Sequence, residues 1–439
     1  MTLKLTILIV EDEKFHRDDI YNKMCNLAEK VEHQELQLLT ASNLDEAIDL
    51  IEHHPIDAII LDYKLAENPQ DKNSSVKYAS EIIEQLSEYS HRSLYILLRS
   101  QYNEQYFYEF RDNIRNLGFG FDFCGKKEDS FELYTKYNSI VDWVKEKPLP
   151  YPLAYLLHLI EVASDSEKIL KMLNFVEISI RYLTAILFAD IAYRKIGSIE
   201  QKIDFGNYTL GGWLRALKIL VKLNKEVNKN LFVPEIKDFF FNETIEYFDY
   251  FLCLRNQYGH SLNTYEPSFR ASLADKIRPR FNQFKDRLCF LSRYPLLIIE
   301  NTQIDEDKRN LWLKYHENLN EYTPWYKYDT NSLMSSTIPS NRNSFASQVN
   351  LFENKVYLAN WKNEFLSLHP FISFQHPSPE FTSREFFMID SVKSETNEKT
   401  GAKTKIISYR SVFSNKTFTN SKDINEFLRL LSIVNSKVI

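Results

Sequence analysis

The stretch IDAIILDY, residues 56–63, decides the fold of the first third of the chain. It is a continuous apolar run that ends in acidic and aromatic residues, as expected of a strand buried on both faces of a parallel sheet. Around it, short apolar runs and segments with helical spacing alternate five times between about residues 4 and 145. This alternation predicts an α/β doubly wound domain with a five-stranded parallel sheet and helices on both faces.

Charged side chains directly follow three of the predicted strands. Glu11 and Asp12 come after the first strand, Asp62 ends the third, and Lys126 and Lys127 follow the fifth. Because the carboxyl ends of parallel strands meet at one edge of a sheet, we expect these groups to lie together. Three neighbouring carboxylates need a raised pKa or a divalent cation, and Mg²⁺ prefers oxygen ligands. The sequence therefore predicts a Mg²⁺ site in which Asp62 is a nucleophile towards phosphorus and a lysine pairs with the phosphoryl group.

This pattern resembles the receiver domain of two-component response regulators over about residues 4–145. The resemblance implies that Asp62 is the phosphoacceptor and that a sensor histidine kinase is the phosphoryl donor. It also implies that Glu11, Asp12 and Asp62 hold the Mg²⁺ ion.

The remaining receiver positions are matched with some departures. The resemblance assigns the lysine to Lys126, with Lys127 as the alternative, and the aromatic switch residue to Phe123. Receiver domains usually have Thr or Ser after the fourth strand, and here ILLRSQ places Ser100 or Arg99 there. The usual Pro and Gly after the acceptor aspartate are replaced by a longer polar segment, KLAENPQDKNSSV. Phosphoryl chemistry is expected to be intact, while signal relay through the fourth strand is in question.

The rest of the chain changes character twice. Three prolines in EKPLPYP, residues 146–152, mark a boundary. Leu, Ile and Phe then recur at spacings of three and four as far as residue 293, which predicts an all-α helical bundle. From residue 295 onward, short apolar runs and a polar Ser/Asn-rich segment predict a small β-rich or α+β domain of unknown role. The predicted domains are 1–148, 149–294 and 295–439.

The stretch LRNQYGHS, residues 254–261, lies at a predicted helix end. Asn256 and His260 are four residues apart and share a helix face, and Gly259 weakens the helix just before the histidine. One interpretation is structural, because a basic last turn is favoured by the helix dipole. The other is chemical, because Arg255, Asn256 and His260 combine a cation, an amide and a side chain whose pKa suits proton transfer at neutral pH.

The Arg-Asn-x-x-x-His pattern inside a helical region is similar to the motif of the HEPN superfamily, over roughly residues 153–293. That resemblance implies a metal-independent ribonuclease with a composite site in a homodimer and products ending in 2′,3′-cyclic phosphate. His260 would act as general base or acid on the ribose 2′-hydroxyl, Arg255 would hold the scissile phosphate, and Asn256 would orient the phosphate or the histidine. Ser261 stands where many active members have Gly, and some HEPN domains only dimerise or bind nucleotides.

Charge and hydropathy argue against several classes of function. Residues 1–150 carry 17 Lys and Arg against 28 Asp and Glu, a balance of −11 that repels nucleic acid. The rest is only weakly basic and has no helix-turn-helix signature, so we expect no sequence-specific DNA binding. No apolar stretch approaches the roughly 18 residues of a membrane helix, and no signal-peptide pattern is present, so a cytoplasmic protein without membrane contact is expected. The four cysteines form no CxxC pair and suggest neither zinc nor disulfides.

Together these features predict a response regulator of a two-component phosphorelay. Phosphorylation of Asp62 would control a HEPN-like effector that cleaves RNA, and by analogy such architectures resemble stress or antiviral defence proteins. The alternative is a non-enzymatic, phospho-regulated adaptor or phosphate sink that uses the HEPN-like part for dimerisation or partner binding. Ser261 and the altered residue after the fourth strand favour this alternative.

Overall fold

The fold of the 439-residue chain comes from a computed structural model. The residues that the structure describes are 3–28, 34–66, 76–86, 94–102, 107–108, 111, 114, 119–126, 130–146, 149–194, 203, 209–227, 231–241, 244–258, 261–304, 310–316, 325–329, 355–360, 365–375, 385–396, 403–414 and 416–435. They belong to two units, residues 1–147 with 361–363, and residues 148–360 with 364–439.

A parallel sheet forms the centre of the first unit. Its elements are β1 (Leu3–Val10), α1 (Lys14–Ala28), β2 (Gln34–Ala41), α2 (Leu44–His53), β3 (Ala58–Asp62), β4 (Lys64–Ala66), β5 (Val76–Tyr78), α3 (Ala79–Leu86), β6 (Tyr95–Ser100), β7 (Gly120–Gly125) and α4 (Ser130–Glu146). Five of the strands lie in the order β2-β1-β3-β6-β7, and all neighbours in this sheet are parallel. This is a doubly wound order, so the predicted five-stranded parallel sheet is confirmed.

Both faces of this sheet are covered by apolar side chains. Every residue of β3 is buried, which explains why its sequence is a continuous apolar run rather than an alternating one. Ile59, Leu61 and Leu98 belong to a core on one face, and Ile60 and Leu97 belong to a core on the other. Successive residues of a strand therefore lie on opposite faces of the sheet, and both faces are apolar. The charged residue of β3 lies at the end of that strand.

A small hairpin comes after the central strand and was not expected from the sequence. β4 and β5 pair antiparallel, with Leu65 opposite Lys77. The helical spacing of VKYASEIIEQLSEY predicts a helix from residue 76. This is wrong for the first three residues, since Val76–Tyr78 is a strand and helix α3 begins at Ala79. The pairing partner lies in another part of the sequence, so helical spacing in the local sequence could not reveal it.

Helices form the first half of the second unit, as predicted. They are α5 (Tyr151–Val162), α6 (Asp165–Tyr193), α7 (Leu210–Val227), α8 (Glu235–Phe241), α9 (Thr244–Tyr258) and α10 (Pro267–Arg287). The sequence EIKDFFFNETIEYFDYFLCLRNQYG is compatible with one helix or two, and the structure shows the two helices α8 and α9 in it. The 29-residue helix α6 is buried along most of its length, which makes it central to this unit.

Among the helices that the structure describes, none combines the length and hydropathy needed to cross a membrane.

Two further sheets and a last helix complete the second unit. The elements are β8 (Leu296–Ile304), β9 (Asn310–His316), β10 (Trp325–Asp329), β11 (Val356–Ala359), β12 (Phe365–Ser367), β13 (Ile372–Gln375), β14 (Glu385–Thr396), β15 (Lys403–Ser411), β16 (Thr417–Asn420) and α11 (Asp423–Asn435). The sheet orders are β10-β9-β8-β11-β12 and β13-β14-β15-β16. Helix α6 contacts this β-rich part, since the rings of Phe188 and Phe371 lie 4.7 Å apart. A domain boundary between residues 294 and 295 stays a prediction.

Candidate functional site

Three carboxylates meet at the carboxyl edge of the parallel sheet. Glu11 and Asp12 directly follow β1, and Asp62 is the last residue of the neighbouring strand β3. One oxygen from each carboxylate lies within 4.8 Å of the others. Glu11 and Asp62 are only 1% and 5% exposed, so little water reaches their charges. This is the grouping that the strand order was expected to produce.

Lys126 is the cation that faces these carboxylates. It directly follows β7, and its Nζ lies 2.6 Å from Asp62 Oδ2 and 3.3 Å from Glu11 Oε1. Its backbone N–H donates to the carbonyl of Ser100 at 3.0 Å, which ties the end of β7 to the end of β6. Lys127, the alternative, lies outside the described residues.

The backbone around the first acidic pair is held in place by hydrogen bonds. The backbone N–H of Ala66 donates to Asp12 Oδ2 at 3.0 Å, and that of Glu13 donates to Asp12 Oδ1 at 3.0 Å. The Arg17 guanidinium donates to the carbonyl oxygens of Glu11, at 2.5 Å, and Asp12. These contacts fix the loop after β1 without neutralising the buried carboxylate of Glu11.

The cluster carries more negative charge than its lysine compensates. Burial, and then the charge of Asp62, raise the pKa of Glu11 from 4.5 to about 7, against the lowering effect of Lys126. Burial also raises the pKa of Asp62, although the hydrogen bond from Lys126 opposes it. Burial alone would lower the pKa of Lys126, but the two carboxylates raise it on balance, so the ammonium stays charged.

A hard divalent cation fits this donor set. Three carboxylates offer oxygen ligands from two neighbouring strand ends. The pKa of Glu11 is raised first by burial and then by the charge of Asp62, and a bound cation would offset both effects. Mg²⁺ is bound in proteins by one or a few carboxylates with water completing its shell. The residues that could hold it are Glu11, Asp12 and Asp62, as the sequence predicted.

Ser100 and Phe123 share one face of the sheet. Leu98 pairs with Phe123 in the register of β6 and β7, and Ser100 lies two residues beyond Leu98 on the same face. Phe123 is 8% exposed and stacks on Phe107 at 5.5 Å. Arg99 is the register partner of Asp62 and belongs to the opposite face. Ser100 therefore shares a face with Phe123, and Arg99 shares a face with Asp62. The choice between Ser100 and Arg99 and the relay role of Ser100 and Phe123 stay predictions.

The sequence interpretation missed a contact beside the acceptor strand. Lys64, two residues after Asp62, donates from Nζ to the Tyr102 hydroxyl at 2.9 Å. The same Nζ lies 5.1 Å from the ring centroid of Tyr102 and 5.8 Å from that of Tyr78. The pair joins the segments that come after β3 and β6, and the unusual residues after Asp62 were the signal in the sequence.

The second group of predicted residues lies at the end of α9. Arg255 Nη2 is 2.8 Å from Glu177 Oε2, and Arg181 Nη2 donates to the other carboxylate oxygen at 2.6 Å. Asn256 is exposed, and His260 lies outside the described residues. Glu177 and Arg181 were missed, although a Glu and an Arg four residues apart inside the apolar stretch FVEISIRYL were a signal.

Several solved structures are similar to about a third of this chain. No family model matches the chain, and no curated protein matches it. Solved structures similar to it include the signal receiver domain of a LuxO repressor protein from Vibrio parahaemolyticus, at 17% identity, covering 32% of this chain and 92% of that chain with a TM-score of 0.24. The chemotaxis response regulator CheY4 of Vibrio cholerae is 16% identical and covers 32% of this chain and 99% of that one, with a TM-score of 0.24.

A CheY-like receiver domain protein from Methanospirillum hungatei JF-1 is 19% identical and covers 33% of this chain and 99% of that one, with a TM-score of 0.24. At these identities and TM-scores the likenesses carry no information on activity, and the fold assignment rests on the strand order. The amino-terminal third of the chain has a receiver-like fold with a buried acidic cluster at its carboxyl edge.

Proposed function

We propose that the chain is a response regulator in which Asp62 accepts a phosphoryl group from a sensor histidine kinase. An Asp62 carboxylate oxygen would attack phosphorus of the kinase phosphohistidine, the P–N bond would break, and the imidazole would leave and take up a proton. The acidic cluster with Lys126 at 2.6 Å from Asp62 is the observation that carries this proposal. Lys126 Nζ would pair with a phosphoryl oxygen as charge develops there.

The metal site supports the same proposal. When bound, Mg²⁺ would supply positive charge that offsets the phosphoryl oxygens and the carboxylates of Glu11, Asp12 and Asp62. Burial of the cluster strengthens each of these interactions, because charges in a low-dielectric site are poorly screened. Arg17, which donates to the backbone carbonyls of the first acidic pair, would keep that loop in position.

The test is phosphoryl incorporation from phosphoramidate in Mg²⁺, measured by intact mass. Wild type should gain one phosphoryl group and Asp62→Asn should gain none. Asp122→Asn is the matched control, because Asp122 lies in the middle of β7 in the same sheet and pairs with Lys136 of α4 at 2.7 Å. Incorporation that survives in Asp62→Asn, or that is lost equally in Asp122→Asn, would contradict the assignment.

For the second unit we infer a HEPN-like, metal-independent ribonuclease acting as a homodimer. His260 would exchange a proton with the ribose 2′-hydroxyl, Asn256 would orient the phosphate or the histidine, and Arg255 would hold the scissile phosphate. Support comes from Arg255, whose guanidinium is fixed by Glu177 at 2.8 Å while its side chain is 38% exposed. A fixed and partly accessible guanidinium suits phosphate binding.

The same ion pair favours the alternative, a non-enzymatic adaptor. Glu177 already compensates both Arg255 and Arg181, so a phosphate would have to compete with its partly buried carboxylate for the guanidinium. In this interpretation the Arg255 contact stabilises the packing of α9 on α6, and phosphorylation of Asp62 regulates partner binding by the second unit.

An RNA cleavage assay separates the two hypotheses. A mixed RNA pool is incubated with wild type, His260→Ala and the control His158→Ala, whose histidine is exposed on α5. Each protein is measured with and without Mg²⁺ and beryllofluoride, which mimic phosphorylated Asp62. Loss of cleavage in His260→Ala alone would support the ribonuclease. Cleavage that persists without His260, or no cleavage in any state, would contradict the ribonuclease hypothesis and favour the adaptor hypothesis.

A further inference from the structure

Helices α9 and α10 form a hairpin with an aromatic seam, defined here by Tyr247, Tyr250, Tyr258, Tyr265 and Phe269. At one end, Tyr258 contacts both Tyr265 and Phe269 with ring centroids 6.0 Å apart. Tyr265 and Phe269 lie 4.9 Å apart with their planes inclined by 30°. These two rings are 38% and 40% exposed. Two neighbouring aromatic rings are therefore partly exposed to solvent at the start of α10.

The other end of the seam combines tyrosines with arginines. The Arg280 guanidinium lies 4.3 Å from the ring centroid of Tyr250, and the Arg287 guanidinium lies 4.9 Å from that of Tyr247. The Tyr247 hydroxyl donates to Gln283 Oε1 at 2.8 Å, which fixes the register of the two helices. From Tyr247 to Tyr258 the seam extends about 16 Å, at 1.5 Å per helical residue.

The helix beside the seam is basic in a chain that is acidic as a whole. Helix α10 contains six Lys and Arg and two Asp, a balance of +4, whereas the whole chain has a net charge of −6. Lys276 and Arg280 are exposed on the same side of this helix as Phe269, whereas Arg278 is on the opposite side and pairs with Asp275 at 2.7 Å. Positive charge next to open aromatic rings is complementary to a ligand that is anionic and also carries flat faces.

We propose that the aromatic seam and the exposed cations of α10 bind single-stranded nucleic acid. Its bases would stack on Tyr265 and Phe269, and its phosphates would pair with Lys276 and Arg280, which lie on the same side of α10 as Phe269. Base stacking on aromatic side chains and backbone pairing with cations are the two interactions that single strands use. An acidic peptide would use the cations, but its carboxylates offer no flat face to the ring pair. A duplex would hide its bases from the rings.

This surface is distinct from the proposed ribonuclease residues. On a helical wheel Arg255 lies about 60° from Tyr258, about 80° from Tyr247 and about 140° from Tyr250. Its guanidinium is paired with Glu177 on α6 rather than with the seam. Binding at the seam therefore does not depend on cleavage at His260. The experiment uses full-length His260→Ala as the background, so that an RNA probe survives whether or not the chain is a ribonuclease.

The measurement is fluorescence anisotropy of labelled oligouridylate and oligoadenylate with the full-length protein at several salt concentrations. Tyr265→Ala with Phe269→Ala should weaken binding about tenfold or more, because a stacked base contributes about 1–3 kcal/mol. Arg280→Ala should weaken it and lower the slope of log Kd against log salt by about 0.7. Tyr265→Phe should retain binding, because the ring is preserved.

Two matched controls lie away from the seam. Phe15→Ala removes an aromatic ring that is 80% exposed, and Arg429→Ala removes an arginine side chain that is 58% exposed. Neither should change the affinity by more than about twofold, within the usual range for surface substitutions. Absence of binding to either oligonucleotide, or binding that the seam variants leave unchanged, would overturn the proposal. So would equal affinity for an acidic peptide, or loss of a dimer in the seam variants without any effect on nucleic acid.

Discussion

Replacing Glu11 with Gln is expected to stabilise the first unit at neutral pH in the absence of divalent cations. Glu11 is buried, and its pKa is raised from 4.5 to about 7 by burial and by Asp62. A carboxyl with a raised pKa favours the folded state below pH 4.5, and this contribution is lost as the pH rises through 7. Gln keeps the shape of the side chain and an acceptor for Lys126 Nζ, but it carries no charge.

The magnitude is set by the pKa change. Each tenfold change in a protonation equilibrium is about 1.4 kcal/mol, so keeping Glu11 ionised costs about 3 kcal/mol at pH 8. At pH 5 the side chain is protonated in the folded state, and the cost falls to less than about 1 kcal/mol. Glu11→Gln should therefore raise the free energy of unfolding of the first unit by about 2 kcal/mol more at pH 8 than at pH 5.

Amide hydrogen exchange measures this gain in the full-length protein. Peptides from β1 and β3, monitored in EDTA at pH 5 and pH 8, report the free energy of opening of this unit alone. Adding Mg²⁺ should remove the advantage of the variant, because the wild-type carboxylate then binds the cation. Glu46→Gln is the control, since Glu46 is exposed and hydrogen bonds from Ser42 lower its pKa, so its removal should have the opposite sign. A loss of stability in Glu11→Gln at both pH values, or an equal gain at both, would refute the reasoning.

Three further substitutions test contacts inside the units, one in the first unit and two in the second. Gly120→Ala should lower the free energy of opening of β6 and β7, measured by amide hydrogen exchange, by about 1–3 kcal/mol, because the new Cβ would overlap the buried Tyr95 ring. A decrease under about 0.5 kcal/mol would contradict this. Tyr409→Phe should cost about 1–2 kcal/mol in urea unfolding, because the hydroxyl donates to Asp423 Oδ2 at 2.8 Å, and unchanged stability would argue against that bond. Arg181→Met should cost about 3 kcal/mol, because its buried guanidinium donates to a glutamate one turn earlier on α6; a change below about 1 kcal/mol would show that the pair contributes little.

The sheet and its acidic edge could be predicted because their signals are local. The central strands β1, β3 and β6 are mostly apolar runs. Because parallel strands of a sheet end at one edge, Glu11, Asp12 and Asp62 are expected to lie together. The choice between Lys126 and Lys127 could not be made from the sequence, because one residue decides which side chain points at the edge. The structure places the Lys126 ammonium against Asp62.

Features that depend on pairing between distant segments could not be predicted. Val76–Tyr78 shares helical spacing with Ala79–Leu86, yet it is a strand because residues 64–66 pair with it. The contact of Glu177 with Arg255 joins residues about eighty positions apart in the sequence, and it depends on how α9 packs on α6. Local propensity and periodicity contain no information on such contacts.

Phosphorylation of Asp62 is tested most directly by chemical trapping of the acyl phosphate. Full-length protein is treated with phosphoramidate and Mg²⁺ and then with borohydride, which reduces an aspartyl phosphate to homoserine, and the modified residue is located by peptide mass spectrometry. Conversion at position 62, lost when Mg²⁺ is replaced by EDTA, is the predicted result. Conversion at another aspartate, or an unmodified Asp62 in the presence of Mg²⁺, would contradict the account.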